Sequence, residues 1–221
     1  KTEIFQVHPT GVGDFTTIQE AIDAARDGDE VIVSPGVYFG TGDAVVDLAG
    51  KSIWLHSSQG PEVTFIDAQE RRRGVLCTNG EGPETRIEGF TIQNGIGSRD
   101  KPNNRLPVEY GGGLAIYDSS PTLINCKFIN NSAAFGGGIG ITDSQDLVGR
   151  GGTSNPQLEN CSFIDNYANY GAGVWLRSLG IERSSPSFSD CSFTNNYAEE
   201  EGGGIRCSDG DPTFTNCSFT E

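Results

Sequence analysis

Two groups of side chains have the types that binding chemistry needs. Asp118, Asp143 and Asp209 each close a short apolar stretch, and each is followed by Ser or Gly. A column of carboxylates would offer the oxygen ligands that Ca²⁺ takes. The competing reading is local, since an Asp ahead of Ser or Gly caps its own turn. The second group is Trp175 with Arg177, Arg206 and Tyr117. A flat aromatic face beside Arg donors suits stacking on a sugar ring and hydrogen bonding to its hydroxyls or carboxylates. Here the competing reading packs Trp175 under a neighbouring loop. No catalytic set is assigned. The only histidines, His8 and His56, are far apart in sequence and no Cys-x-x-Cys occurs, so no zinc site is expected.

Both groups exist only if distant segments are stacked, and an internal repeat supplies the stacking. Residues 121–131 read Pro-Thr-Leu-Ile-Asn-Cys-Lys-Phe-Ile-Asn-Asn. Close copies occupy 156–166 and 186–196, and a fourth begins at Pro212. Each full copy is followed by a small-residue run and an apolar pair: Ile139/Ile141, Val174/Leu176 or Ile205/Cys207. A divergent copy around Phe90 leads to Leu114/Ile116. The repeated Cys positions are 35, 30 and 26 residues apart, a short unit with variable insertions, as in a solenoid. Apolar residues two apart are at strand spacing. Each unit therefore reads as three short strands around a common interior.

The bends have their own chemistry. Asn125, Asn160, Asp190 and Asn216 precede the repeated Cys, with Gly89 in the earlier copy. These residue types tolerate positive φ, so a sharp corner is expected there. A second corner is expected to begin at Asn131, Asn166 and Asn196, whose amides would form a ladder between coils about 4.8 Å apart. If the apolar pairs point inward, the next positions point out. One outward row is then Ala115, Gly140, Trp175 and Arg206, and the next is Tyr117, Thr142, Arg177 and Ser208.

This pattern predicts an all-β fold, a right-handed parallel β-helix of about six to seven three-strand coils, the hand following the general preference of parallel crossovers. The Phe-x-x-Asn motif (Phe128 to Asn131, Phe163 to Asn166, Phe193 to Asn196) with Gly-Gly-Gly-Ile or Gly-Ala-Gly-Val resembles the chlamydial polymorphic outer-membrane-protein repeat. It equally resembles β-helix repeats of bacterial secreted and cell-surface proteins. The segment from Phe15 through Ala25 resembles the helical cap that opens pectate-lyase-like β-helices. Thr17 and Glu20 form a capping box, Ile18, Ala21, Ile22 and Ala25 share one face, and Gly28 is expected to end the helix. The chain is read as one domain over 1–221. Its cap is 1–30, its divergent first coils 31–84 and its regular repeats 85–221. No cap is legible at the far end and no Met occurs, so a longer parent chain, or packing through the last coil, is expected.

Composition narrows the partners. The formal net charge is −15, which argues against nucleic acid and anionic lipid. No apolar run approaches the ~18 residues of a membrane-spanning helix. Cys126, Cys161, Cys191 and Cys217 fall in one inward ladder and read as apolar core thiols rather than bridges. Insertions at 95–110, 143–155 and 178–185 carry Arg99, Lys101, Arg105, Asp146, Arg150, Glu182 and Arg183, and the last two insertions should form one rim. The resemblance implies an extracellular or cell-surface, bacterial-type secreted protein. The expected function is a non-catalytic scaffold or glycan-contacting surface, with Ca²⁺ as the one cofactor considered. Two alternatives stand beside it. One is a polysaccharide lyase or other carbohydrate-active enzyme; the other is a segment assembling end to end.

Overall fold

The computed structural model describes residues 2–97, 110–144, 152–180 and 182–221. Short strands follow one another around a narrow core, and equivalent strands of successive coils pair in parallel. Sheet one runs from Ile4–Val7 through Glu30–Val33, Trp54–Ser57, Arg86–Glu88, Thr122–Ile124, Gln157–Glu159 and Ser187–Ser189 to Thr213–Thr215. Sheet two runs from Gly36–Tyr38 to Ser218–Thr220, and sheet three from Ala44–Asp47 to Ile205–Ser208. Among the described residues sheet three has six strands and sheet two has seven, in line with the expected coil number. One element was not expected. Ser132–Phe135, Tyr167–Tyr170 and Tyr197–Glu201 form a fourth, three-stranded sheet between sheets two and three.

The corners explain the path. Gly89, Asn125, Asn160, Asp190 and Asn216 have φ of 77°, 50°, 51°, 53° and 53°. The second corner turns one residue earlier than expected, at Asn94, Asn130, Asp165 and Asn195, with φ of 54°, 53°, 53° and 52°. The left-handed residue makes the bend, and the Asn after it swings inward. Asn131 Nδ2 donates to Ile92 O (3.0 Å) and to Asn166 Oδ1 (3.1 Å). Asn166 Nδ2 donates to Phe128 O and to Asn196 Oδ1, both at 2.9 Å. The amide ladder thus pairs polar groups that would each cost about 1–3 kcal/mol if buried unpaired.

Inside the ladder, Phe128, Phe163, Phe193 and Phe219 stack with centroids 5.1, 4.6 and 4.7 Å apart. This stack dictates the glycine run. A Cβ at Gly138 would lie 3.1 Å from the Phe163 ring and 2.5 Å from Gly173 O. Phe and Gly of adjacent coils are therefore one steric unit. Cys126, Cys161 and Cys191 are free and buried, and their thiols donate to carbonyls two residues back at 3.4, 3.4 and 3.3 Å. Burial pushes the Cys77 thiol well above its ordinary pKa.

The first end is closed by the helix Ile18–Ala24, which buries Ile18, Ala21 and Ile22. Its capping box forms as expected between Thr17 and Glu20. It stops at Ala25, whose ψ of 156° leaves the helical region, rather than running to Gly28, and Lys51 Nζ donates to the last-turn carbonyls of Ile22 (2.5 Å) and Asp23 (2.9 Å). Cationic capping of that kind suits a helix C-terminus.

Candidate functional site

The outward rows of sheet three have the expected register. Gly140 pairs with Ala115 and Trp175, and Trp175 with Arg206; Thr142 pairs with Tyr117 and Arg177. Trp175 is only 4% exposed, so of the two readings the one that packs it under a cover holds, and no exposed aromatic face forms there. The fourth sheet folds back over sheet three and lays Phe135 5.2 Å from the indole. Tyr110 packs 4.6 Å from it. Tyr110, Phe135 and Tyr170 form a continuous stack at 5.0 and 5.5 Å. In the next coil Glu201 takes that place, and its Oε2 lies 2.6 Å from Arg206 Nε. Arg206 is thus committed to an ion pair. Arg177 is exposed, while Tyr117 is half-buried and its hydroxyl pKa is raised by burial and then by the Asp118 charge. These four residues present no shared aromatic platform.

The carboxylate column is also corrected. Asp118 and Asp209 sit in left-handed turns with φ of 46° and 60°. Asp118 Oδ1 accepts the Ser144 N–H at 2.7 Å. Asp143 is fully buried, and its carboxylate accepts from Ser178 Oγ (2.7 Å), Ser184 Oγ (2.7 Å) and Leu179 N (2.5 Å). Its oxygens are filled by protein donors. Among the described residues no three His, Cys, Asp or Glu side chains converge to hold a metal ion.

These bonds belong to a second polar ladder that sequence reasoning missed. Ser119 N donates to Ser154 Oγ (3.3 Å), and Ser154 N to Ser184 Oγ (2.9 Å). Ser119 Oγ donates to the buried Glu81 carboxylate (2.8 Å), which also takes the N–H groups of Gly50 and Asn79. The signal was present: each serine stands seven residues before the Cys of its coil. Of the charged insertions, Arg99, Lys101, Arg105, Asp146 and Arg150 lie outside the described residues. Arg183 makes an exposed 3.5 Å pair with Asp211, and Glu182 is exposed.

Aromatic side chains reach solvent elsewhere, and two of these places carry polar neighbours that the sequence reading did not single out. Trp54, 37% exposed on sheet one, stacks on His56 at 4.2 Å and carries the Arg86 guanidinium 5.1 Å from its centroid. Its Nε1 donates to Glu88 (3.1 Å), Arg86 pairs with Glu88 (2.8 Å) and His56 meets Glu30 (2.8 Å). Here the indole is already occupied by its own neighbours.

The second place is the outer face of the fourth sheet. Tyr167 and Tyr197 are 41% and 64% exposed and stack at 5.9 Å, 17° from parallel. Ile96, Ser132, Tyr167 and Tyr197 follow one another in register. Tyr197 covers one face of the Tyr167 ring. On the other side the register partner is Ser132, too small to cover a phenol ring. That face opens on a groove of about 410 Å³ lined by Glu70, Ile96, Asn130, Asn131, Ser132, Asp165 and Tyr167. The Tyr167 hydroxyl donates to the Glu199 carboxylate, which raises its pKa and fixes the ring's edge. The detectable signal is the residue after each ladder Asn: Ser132, Tyr167, Tyr197. A smaller cavity of about 370 Å³ lies by the helix, lined in part by Gln19, Phe39, Asp47 and Leu76.

A family model described as a right handed beta helix region matches residues 45–219. No curated protein matches the sequence. Among solved structures, pectin methylesterase PemA from Erwinia chrysanthemi superposes with a TM-score of 0.59 at 11% identity, over 100% of this chain and 67% of that one. Pectin methylesterase from carrot gives a TM-score of 0.49 at 17% identity, over 97% of this chain and 82% of that one. At such identities the likeness is one of fold, and the PemA superposition carries it.

Proposed function

The chain belongs to the right-handed β-helix family, and from that premise we propose that it is a non-catalytic module of the cell surface or extracellular space that contacts glycans through the Tyr167 groove. One observation carries the reading. Tyr167 is held at its hydroxyl by Glu199 and backed by Tyr197, and its remaining face opens on a groove rimmed by polar side chains. An aromatic ring fixed in this way stacks on the apolar face of a sugar at little cost in conformational entropy. The rest of the rod acts as a scaffold: its buried amides, serines and carboxylates are bonded to one another. No helix among the described residues is long and apolar enough to cross a membrane.

Affinity electrophoresis through gels containing soluble polysaccharides tests the proposal. Retardation of the wild-type chain, lost in Tyr167→Ala and kept in Trp54→Ala, is expected. Equal retardation of wild type and Tyr167→Ala would place any glycan contact elsewhere.

A lyase needs a base free to take a proton, and Arg206 on the outer face of sheet three is already paired to Glu201.

A further inference from the structure

We infer that the Tyr167 groove selects electroneutral sugar chains and rejects polyuronates; this rests on the glycan-contacting reading of the same groove. The argument comes from the donors and acceptors on its rim. Glu70 and Asp165 are both exposed and both line the groove. An ionised carboxylate accepts hydrogen bonds and donates none. Asn131 cannot redress the balance, because its amide donates to Ile92 O and to Asn166 Oδ1. The Tyr167 hydroxyl is likewise spent on Glu199. Among the described residues the rim's charged groups are therefore all acceptors, and its remaining donors, the Asn130 amide and the Ser132 hydroxyl, are neutral. The rim suits a ligand that brings several hydroxyl donors, and such charge-assisted bonds are the stronger kind. A sugar ring seated on Tyr167 offers an apolar face to the phenol and its hydroxyls to the carboxylates.

A uronate in the same seat would bring its own carboxylate into a groove that Glu70 and Asp165 line, with Glu199 on the next coil. The chain's net charge of −15 adds to the repulsion at long range. Two like-charge contacts near 6 Å at the surface lower affinity by about tenfold even at the dielectric of water. A positively charged ligand would also be attracted, but by charge alone, and salt would remove that attraction. Stacking on Tyr167 is insensitive to salt.

The test measures binding of three probes in 0.05 M and 0.5 M NaCl without added Ca²⁺: a soluble neutral β-glucan, polygalacturonate and an oligolysine. The proteins are the wild type, Tyr167→Phe, Tyr167→Ala and the double variant Glu70→Gln/Asp165→Asn. The second substitution fits the corner, since Asn130 and Asn195 hold φ of 53° and 52° where Asp165 holds 53°. The expected result is salt-insensitive glucan binding that survives in Tyr167→Phe and falls at least tenfold in Tyr167→Ala. The double variant should bind glucan several-fold more weakly and gain about tenfold for polygalacturonate. Tyr167-dependent binding of polygalacturonate by the wild type, as tight as that of glucan, overturns the selectivity and leaves the glycan reading standing. Binding of oligolysine alone, lost in 0.5 M NaCl, overturns the glycan reading and the selectivity together by showing an acidic surface without sugar recognition. No Tyr167-dependent binding of either polysaccharide overturns the glycan reading itself.

Discussion

Replacing Asn166 by Ala removes the middle rung of the amide ladder. The side chain is buried and makes four hydrogen bonds. Nδ2 donates to Phe128 O and Asn196 Oδ1, and Oδ1 accepts from the backbone N and the Nδ2 of Asn131. Each such bond contributes roughly 1 kcal/mol net, and a buried N–H deprived of its acceptor costs about 1–3 kcal/mol. The loss should therefore be about 4 kcal/mol or more, a large part of the ~5–15 kcal/mol of a typical domain. Urea unfolding followed by indole fluorescence is a suitable assay, because Trp175 is buried in the adjacent coil pair and reports loss of packing there. Asn195→Ala is the control. That residue is exposed at φ of 52°, and losing a residue suited to the left-handed region should cost only about 1–2 kcal/mol. A loss below about 1 kcal/mol for Asn166→Ala, or equal losses for the two variants, would refute the ladder as the main polar support of the coils.

Further expectations follow from the packing. Trp175→Ala should destabilise by about 3–5 kcal/mol, the range for a buried aromatic, whereas Trp54→Ala should cost far less; the two urea midpoints decide it. Gly138→Ala should cost about 1–3 kcal/mol by overpacking against Phe163 and Gly173 O, read by thermal unfolding. Burial, reinforced by the Glu81 and Asp23 charges, raises the pKa of Asp47 above that of an ordinary Asp. The folded state then holds its proton more tightly than the unfolded state. Stability at this group is greatest below the ordinary Asp range and is lost as pH rises through the raised pKa. Asp47→Asn should therefore raise the midpoint at pH 7 and leave it unchanged at pH 3. In native protein a thiol reagent should spare Cys77, Cys126 and Cys161 and modify all six cysteines only after unfolding.

The solenoid was legible because its determinants are local and periodic. A corner Asn declares itself by residue type, and an inward strand by spacing of two. The register of sheet three, including the Gly140, Trp175, Arg206 row, followed from parity alone. What failed was the inference from outward to exposed. Parity says which way Trp175 leaves the strand but not what lies above it. The cover comes from Tyr110 and from Phe135, the latter in a fourth strand whose sequence carries no strong alternation. Asp143 failed for a similar reason. Its partners Ser178 and Ser184 lie 35 and 41 residues away, in an insertion of variable length. The Tyr167 groove was missed because Ser132, Tyr167 and Tyr197 share a position but not a chemistry. The groove exists because the first of them is small.

The central claim is that a sugar seats on the Tyr167 ring. Ring resonances of the tyrosines, assigned by single substitutions and followed while a soluble neutral β-glucan is added, test it most directly. The account predicts saturable shifts at Tyr167 and smaller ones at Tyr197, with the buried rings of Tyr38 and Tyr110 unmoved. Shifts that bypass Tyr167, or no shift at any tyrosine at saturating glucan, would contradict it.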